Sequence, residues 1–272
     1  MAIRSIIVNI DIDNFSPPLV ASAVGLAQRH DAKLIAVAAA GAPVAVAGID
    51  GQAAASIYTI ELTDVEERLR ELEGKYRALI PAGMAVDWRA WVETPARCLA
   101  TMASAADLIL VAAAAKRPSS FLRSVDIGEL VLSAGRPVLI VKPDTGPIVA
   151  DRIMIGWKNT REARRAIADA LPFLATASAV QVASISEGEP DVEQASLDDA
   201  LAWLAAHGVK AEGKLHPSSH SPAETILSLA QIFGADLIVT GAYGHSRVRE
   251  WLLGGMTHDL IGESTINRLI SN

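Results

Sequence analysis

Cysteine is nearly missing from the 272-residue chain: Cys98 stands alone, so no intrachain disulfide can brace the fold. Its neighbours Arg97 and Leu99 lie in a helical pattern, and a buried structural thiol is the expectation. Aromatic residues make up only 4 % of the sequence against 51 % hydrophobic residues overall. The core must therefore be built mainly from Ala, Val, Ile and Leu, a composition that suits parallel sheets covered by helices. A basic surplus is also lacking. The formal net charge of −7 argues against a nucleic-acid partner, because phosphate contacts need cations, although a local basic cluster can still take a small anion. The longest apolar stretch, Leu34–Ile49, is broken by Gly41, Pro43 and Gly48 and falls short of the roughly 20 residues a bilayer span requires. The run Ile6–Val8 is soon followed by Asp11 and Asp13, which is not the pattern of a secretory signal. A soluble cytoplasmic protein without a membrane partner is expected.

What the chain does contain is an internal repeat. Thr94-Pro95-Ala96 precedes a helical stretch running into Ala106-Asp107-Leu108-Ile109-Leu110-Val111, and Ser221-Pro222-Ala223 precedes one running into Ala235-Asp236-Leu237-Ile238-Val239-Thr240. In both, Ser or Thr before Pro reads as an N-cap with Pro at the first helical position, and an apolar strand follows. Each half reads as β-α-β-α-β-α-β-α-β. Strands are predicted near 3–9, 33–39, 84–91, 107–113 and 137–141, and again near 152–157, 178–185, 209–215, 236–241 and 265–270. Such alternation predicts an α/β fold of two repeated doubly wound domains, 1–145 and 146–272, each a five-stranded mainly parallel sheet flanked by helices. Lys142–Pro147 has linker chemistry. Ala40–Ser56 is an extra segment of small residues, either a loop over the sheet or a long connection, and Glu61–Arg77 is a helix with a solvated charged face.

The residues that carry chemistry follow the fourth strand of the second half, beyond whose carboxyl end open α/β sheets bind ligands. They run Thr240-Gly241-Ala242-Tyr243-Gly244-His245-Ser246-Arg247, then Val248–Leu253, then Gly254-Gly255-Met256-Thr257. Gly241 and Gly244 permit a tight turn and close backbone approach. Gly254 and Gly255 open a helix expected to run through about Gly262, whose free N–H groups and dipole favour an anion. Thr257 offers a hydroxyl and Arg247 a charge. A purely structural reading stands beside this one, with the glycines serving turns and a close helix–sheet contact.

Gly241-x2-Gly244-x9-Gly254 resembles the ATP-binding signature G-x2-G-x9-G-[S/T] of the universal stress protein family, and the resemblance covers both halves. It implies a tandem member of that family, a regulatory protein of stress physiology binding ATP, with or without Mg²⁺, in its second domain. The triphosphate would lie on the glycine loop and the adenosine near the ends of the first and second strands. The binding residues so implied are Trp157, Lys158, Gly241, Gly244, His245, Arg247, Gly254, Gly255, Met256 and Thr257. No general base is evident, so turnover of ATP would be slow if it occurs at all. The resemblance also implies that the halves pack as an intramolecular pseudo-dimer, with further homodimerisation left open. The chain departs from the pattern at Gly255, where the signature has Ser or Thr. It departs at Lys158, where the family's nucleoside-contacting Asp aligns, and in the last strand, Thr265–Ile270, which contains Asn267 and Arg268 and reads as an edge or pairing strand. In the first half Ala112 and Ala115 stand opposite Gly241 and Gly244, and Asp126 stands opposite Gly255, where a carboxylate repels phosphate. That half keeps Asp11 at the nucleoside position and suits a scaffolding role.

Other constellations are weaker. Asp11-x-Asp13 after a strand resembles the D-x-D-x-[T/V] nucleophile loop of haloacid-dehalogenase-type phosphatases, giving a phosphohydrolase as the less favoured alternative, but Phe15 breaks the pattern. Gly244-His245-Ser246-Arg247-Val248 lacks the closing Gly of a nucleophile elbow. His216 and His220 are interrupted by Pro217 and so do not form a helical zinc face. His30, His207 and His258 read as surface or capping residues, and Trp88 and Trp91 as packing groups on opposite faces of one strand.

Overall fold

A computed structural model describes residues 2–42, 51–113, 121–143, 146–186, 188–218, 221–242 and 265–272. Ten strands form one sheet: β1 (Ser5–Ile10), β2 (Lys33–Ala39), β3 (Val86–Trp91), β4 (Leu108–Ala112), β5 (Val138–Val141), β6 (Arg152–Trp157), β7 (Ala179–Ser186), β8 (Ala211–Pro217), β9 (Leu237–Gly241) and β10 (Asn267–Ser271). Their order is β3-β2-β1-β4-β5-β10-β9-β6-β7-β8. The same doubly wound connectivity occurs twice, and all pairings within each run of five are parallel. The two runs join where β10 pairs antiparallel with β5, through Arg268↔Ile140, Leu269↔Leu139 and Ile270↔Val138. The last strand is thus a pairing strand in the middle of the sheet and not an edge.

Among the described residues seven α-helices cover it: α1 (Pro17–His30), α2 (Gly51–Arg77), α3 (Pro95–Met102), α4 (Ile127–Ser133), α5 (Arg161–Leu174), α6 (Pro190–Ala206) and α7 (Pro222–Phe233). One apolar cluster unites α1, α2, α5 and α6 with one face of both strand runs. On the opposite face α3 and α4 cover the first run and α7 packs on the second. No helix among the described residues is long and apolar enough to cross a membrane.

The repeated Ala-Asp-Leu-Ile motif has a visible mechanical purpose. Asp107 accepts the backbone N–H groups of Arg4 (2.8 Å) and Ser5 (3.0 Å). Asp236 accepts those of Asp151 (2.9 Å) and Arg152 (3.1 Å). Each carboxylate ties the start of one strand to the start of its neighbour, satisfying donors that the sheet ladder leaves over. The N-cap prediction holds at Ser221, which accepts from Glu224 N at 3.2 Å. Thr94 also occupies the N-cap position of α3 with Pro95 following, but its hydroxyl makes no cap bond and donates instead to the adjacent Glu93. α2 begins ten residues before the predicted helix, because the alanines at 53–55 are strong helix formers; of the 40–56 segment, 43–50 lie outside the described residues.

Cys98 is buried, and loss of solvation pushes its thiol up to about 11. Trp88 packs on Tyr76 with ring centroids 5.5 Å apart, while Trp91 is exposed. His207 closes α6, its Nδ1 2.8 Å from Trp203 O. His30 differs from its expected surface role. Its ring meets Phe173 edge-on at 5.9 Å, bridging α1 and α5, and burial lowers its pKa.

Candidate functional site

From β6 the chain winds through α5 and β7 on one side of the sheet and returns through β9 on the other, so the carboxyl ends of β6 and β9 flank a topological switch point. Gly156 pairs with Thr240 there, and Gly241 follows. A Cβ on Gly241 would stand 2.5 Å from the carbonyl carbon of Glu162 and closer still to Ala163 N. Only glycine lets the first turn of α5 rest on the end of β9. Thr160 caps that helix, its hydroxyl accepting from Ala163 N at 3.2 Å.

Cations gather at this rim. Lys158 is exposed just beyond β6, Arg164 donates to Asn159 Oδ1 (2.6 Å) and Arg161 to Glu162 Oε1 (2.7 Å). Desolvation opposes the charge of Glu162, but the helix-start N–H, Arg161 and Thr160 together hold its carboxyl below the ordinary value. Arg161 works against the dipole of α5, while Glu162 in the same turn favours it. Trp157 ends β6 with its indole buried on the α6 side, donating to Ser196 Oγ at 3.2 Å. Of the ten predicted binding residues, Trp157, Lys158 and Gly241 are described and meet at the switch point. Gly244, His245, Arg247, Gly254, Gly255, Met256 and Thr257 lie outside the described residues.

At the carboxyl end of β1 in the first run, the chain's own groups engage one another. Asp11 Oδ1 accepts the N–H groups of Asp13 (2.9 Å) and Asn14 (2.8 Å), closing a turn at the strand end. Asp13 is gripped by Arg123 through two bonds of 2.8 and 2.9 Å and by Arg68 at 3.2 Å. The Arg123 hydrogen bonds, outweighing desolvation, hold the Asp13 carboxyl below the usual range. Leu122 O accepts from Gly41 N at 2.6 Å, drawing this segment across the end of β2. Asp126 caps α4 by accepting from Glu129 N at 3.0 Å, so a built-in carboxylate occupies the helix start. Arg68, Leu122 and Arg123 belong to no motif, and sequence reasoning missed all three. The aspartates of the phosphohydrolase alternative are engaged in a turn and in ion pairs. Among the described residues no group of three His, Cys, Asp or Glu side chains is placed to hold a metal.

A doubly wound α/β sheet with a switch-point crevice in each run defines the structural class. Residues 150–271 match the model of the universal stress protein family. Over nearly its whole length the chain is similar to a universal stress protein from Archaeoglobus fulgidus DSM 4304, with TM-score 0.69, 18 % identity, and coverage of 98 % of this chain and 96 % of that one. It is also similar to a putative universal stress protein from Pseudomonas aeruginosa UCBPP-PA14, with TM-score 0.60, 20 % identity, and coverage of 99 % and 93 %. At these identities the likeness speaks for the fold. A search of curated proteins gave no match.

Proposed function

We propose that the chain is a tandem universal stress protein with domains 1–145 and 146–272. Its second domain binds an adenine nucleotide, ATP with or without Mg²⁺, and it acts as a cytoplasmic stress-response regulator, not as an enzyme with rapid turnover. The observation that carries this reading is the asymmetry between the crevices. In the first, Asp126 sets a carboxylate at the start of α4 and Asp13 is held in ion pairs with Arg123 and Arg68, so the charge there is met within the chain. In the second, Gly255 stands in the sequence where the first has Asp126, and Lys158 where it has Asp11, and the rim presents Lys158, Arg161 and Arg164, a donor set suited to a polyphosphate. The family match falls on this same half.

A second reading, a ligand-independent interaction module, is favoured by Gly241, whose lack of a side chain is already required by α5. Calorimetric titration of the full chain with ATP and Mg²⁺, beside Gly244→Asp, separates the two. The expected result is heat for the wild type and none for the variant, because a carboxylate on the loop repels phosphate. Silence from both would refute nucleotide binding. Equal heats would deny the loop its role.

A further inference from the structure

The last two turns of α1 hold the join between the strand runs. Arg29 donates to Val149 O at 3.0 Å, and the buried Ser22 donates to Gly146 O at 3.2 Å. Residues 146–150, which lead from the first run into the second, are thereby laid along α1. Ile148 and Ala150 are buried in the apolar cluster that both runs share. His30, the final residue of α1, reaches further and sets its ring edge-on against Phe173 of α5, with centroids 5.9 Å apart. Phe173 is buried in that same cluster. One aromatic pair thus fastens a helix of the first run to a helix of the second, one residue from the Arg29 bond to the linker.

The Nε2 of His30 is enclosed and has no hydrogen-bond partner among the described residues. A neutral ring can keep its proton on Nδ1 and leave Nε2 only a lone pair, whereas the imidazolium carries N–H on both nitrogens. An enclosed, unpaired N–H that belongs to a cation is strongly disfavoured in apolar surroundings. The carboxylates on the elements packed here are engaged elsewhere. Asp31, after α1, pairs with Arg4 at 3.5 Å, and Asp169 of α5 pairs with Arg165 at 3.4 Å. Asp151, beyond the linker, accepts the Ser178 hydroxyl at 2.6 Å. The carboxyl end of a helix favours a cation, but burial, with the charge of Arg29 added to it, holds the His30 ring below the ordinary histidine value.

We propose that His30 is an acid-released clasp between the two runs. Neutral, it fastens α1 and the linker to Phe173. On taking a proton from solvent the ring leaves the contact for water, and the end of α1 loosens while β5 and β10 stay paired. The device works downward in pH. Because the folded ring holds its proton less tightly than the unfolded chain does, the contact contributes fully above the unfolded value. That contribution is lost as pH falls from the unfolded value toward the folded one.

Hydrogen exchange on the full chain between about pH 7.5 and 5 tests this, the range in which a histidine changes charge. The amides to follow are those of Asp31 and Ala32, which close α1 by donating to Gln28 O and Ala27 O. Wild type is compared with His30→Phe, which keeps an aromatic edge, and with His30→Gln, which keeps a polar group; neither side chain titrates. Taking the ratio of wild type to variant at each pH cancels the intrinsic pH dependence of exchange. The ratio at Asp31 and Ala32 is expected to rise severalfold as pH falls, with the β10 amides unchanged and the urea midpoint lowered in the wild type alone. A ratio that stays flat against either variant would overturn the proposal. So would an equal loss of protection along β10, since the effect would then be global and no clasp would be at work.

Discussion

Arg268 lies in mid-strand between Ile140 and Ile238, only 5 % exposed, and its Nη2 has no hydrogen-bond partner among the described residues. Burial lowers its pKa to about 10. A guanidinium that loses its hydration and, among the described residues, leaves a donor unpaired destabilises the state that contains it. Arg268→Met, which keeps the aliphatic volume, is therefore expected to raise unfolding free energy by about 1–4 kcal/mol in urea titrations. The sign of the pH dependence follows. Above about 10, and below the ordinary range of a guanidinium, the native form has shed a proton that the unfolded chain keeps, so stability gains with rising pH. The advantage of the Met variant should accordingly shrink above pH ~10. Gly241 makes the opposite case. Gly241→Ala forces a methyl against the backbone of α5, and a loss of about 2 kcal/mol or more is expected by the same titration. The importance of Gly241 was legible from its place after a strand. Its steric partner was not, because α5 begins 80 residues earlier in the chain.

Single helices show where local sequence suffices and where it stops. Strand positions were readable from apolar runs and helix starts from Ser or Thr before Pro, since both signals are local. What engages the end of β1 was not readable, because Arg123 meets Asp13 across 110 residues with no motif to announce it. Asp126 was singled out as hostile to phosphate, and its cap bond to Glu129 N supplies the reason. Asp126→Ala should cost about 1 kcal/mol, the usual value of an N-cap, read as a lowered urea midpoint. The Asp13–Arg123 pair is partly exposed, so a double-mutant cycle should give a coupling of only about 0.5–1 kcal/mol at neutral pH. Because the folded carboxyl titrates below its unfolded value, that coupling is present above the unfolded value and lost as pH falls through the folded one. Cycles repeated at successively lower pH should show the coupling decline, and a coupling that does not change with pH would mean that the pair is not what Arg123 contributes.

Across the whole molecule the two strand runs share more than a short ladder. One apolar cluster passes from Leu34 and Val65 through Leu139 and Leu269 to Val239 and Leu204. Polar contacts cross as well: Ser22 Oγ donates to Gly146 O, Arg29 to Val149 O and Arg165 to Gly135 O. Reading each half as its own five-stranded sheet captured the connectivity, and the family resemblance implied that the halves pack together, but the strand partnership that joins them was not legible, since pairing between β5 and β10 depends on neither strand alone. Its consequence is thermodynamic. A core that spans both runs cannot be opened on one side without exposing apolar surface on the other, so the chain should unfold as one cooperative unit. Leu269 is the place to test it, being fully buried between Leu139 and Val239. Leu269→Ala is expected to cost about 2–5 kcal/mol. Probes on Trp88 in the first run and Trp157 in the second should both report that loss at one shared midpoint. Independent cores would behave differently, the second run melting early while the Trp88 signal held at its wild-type temperature.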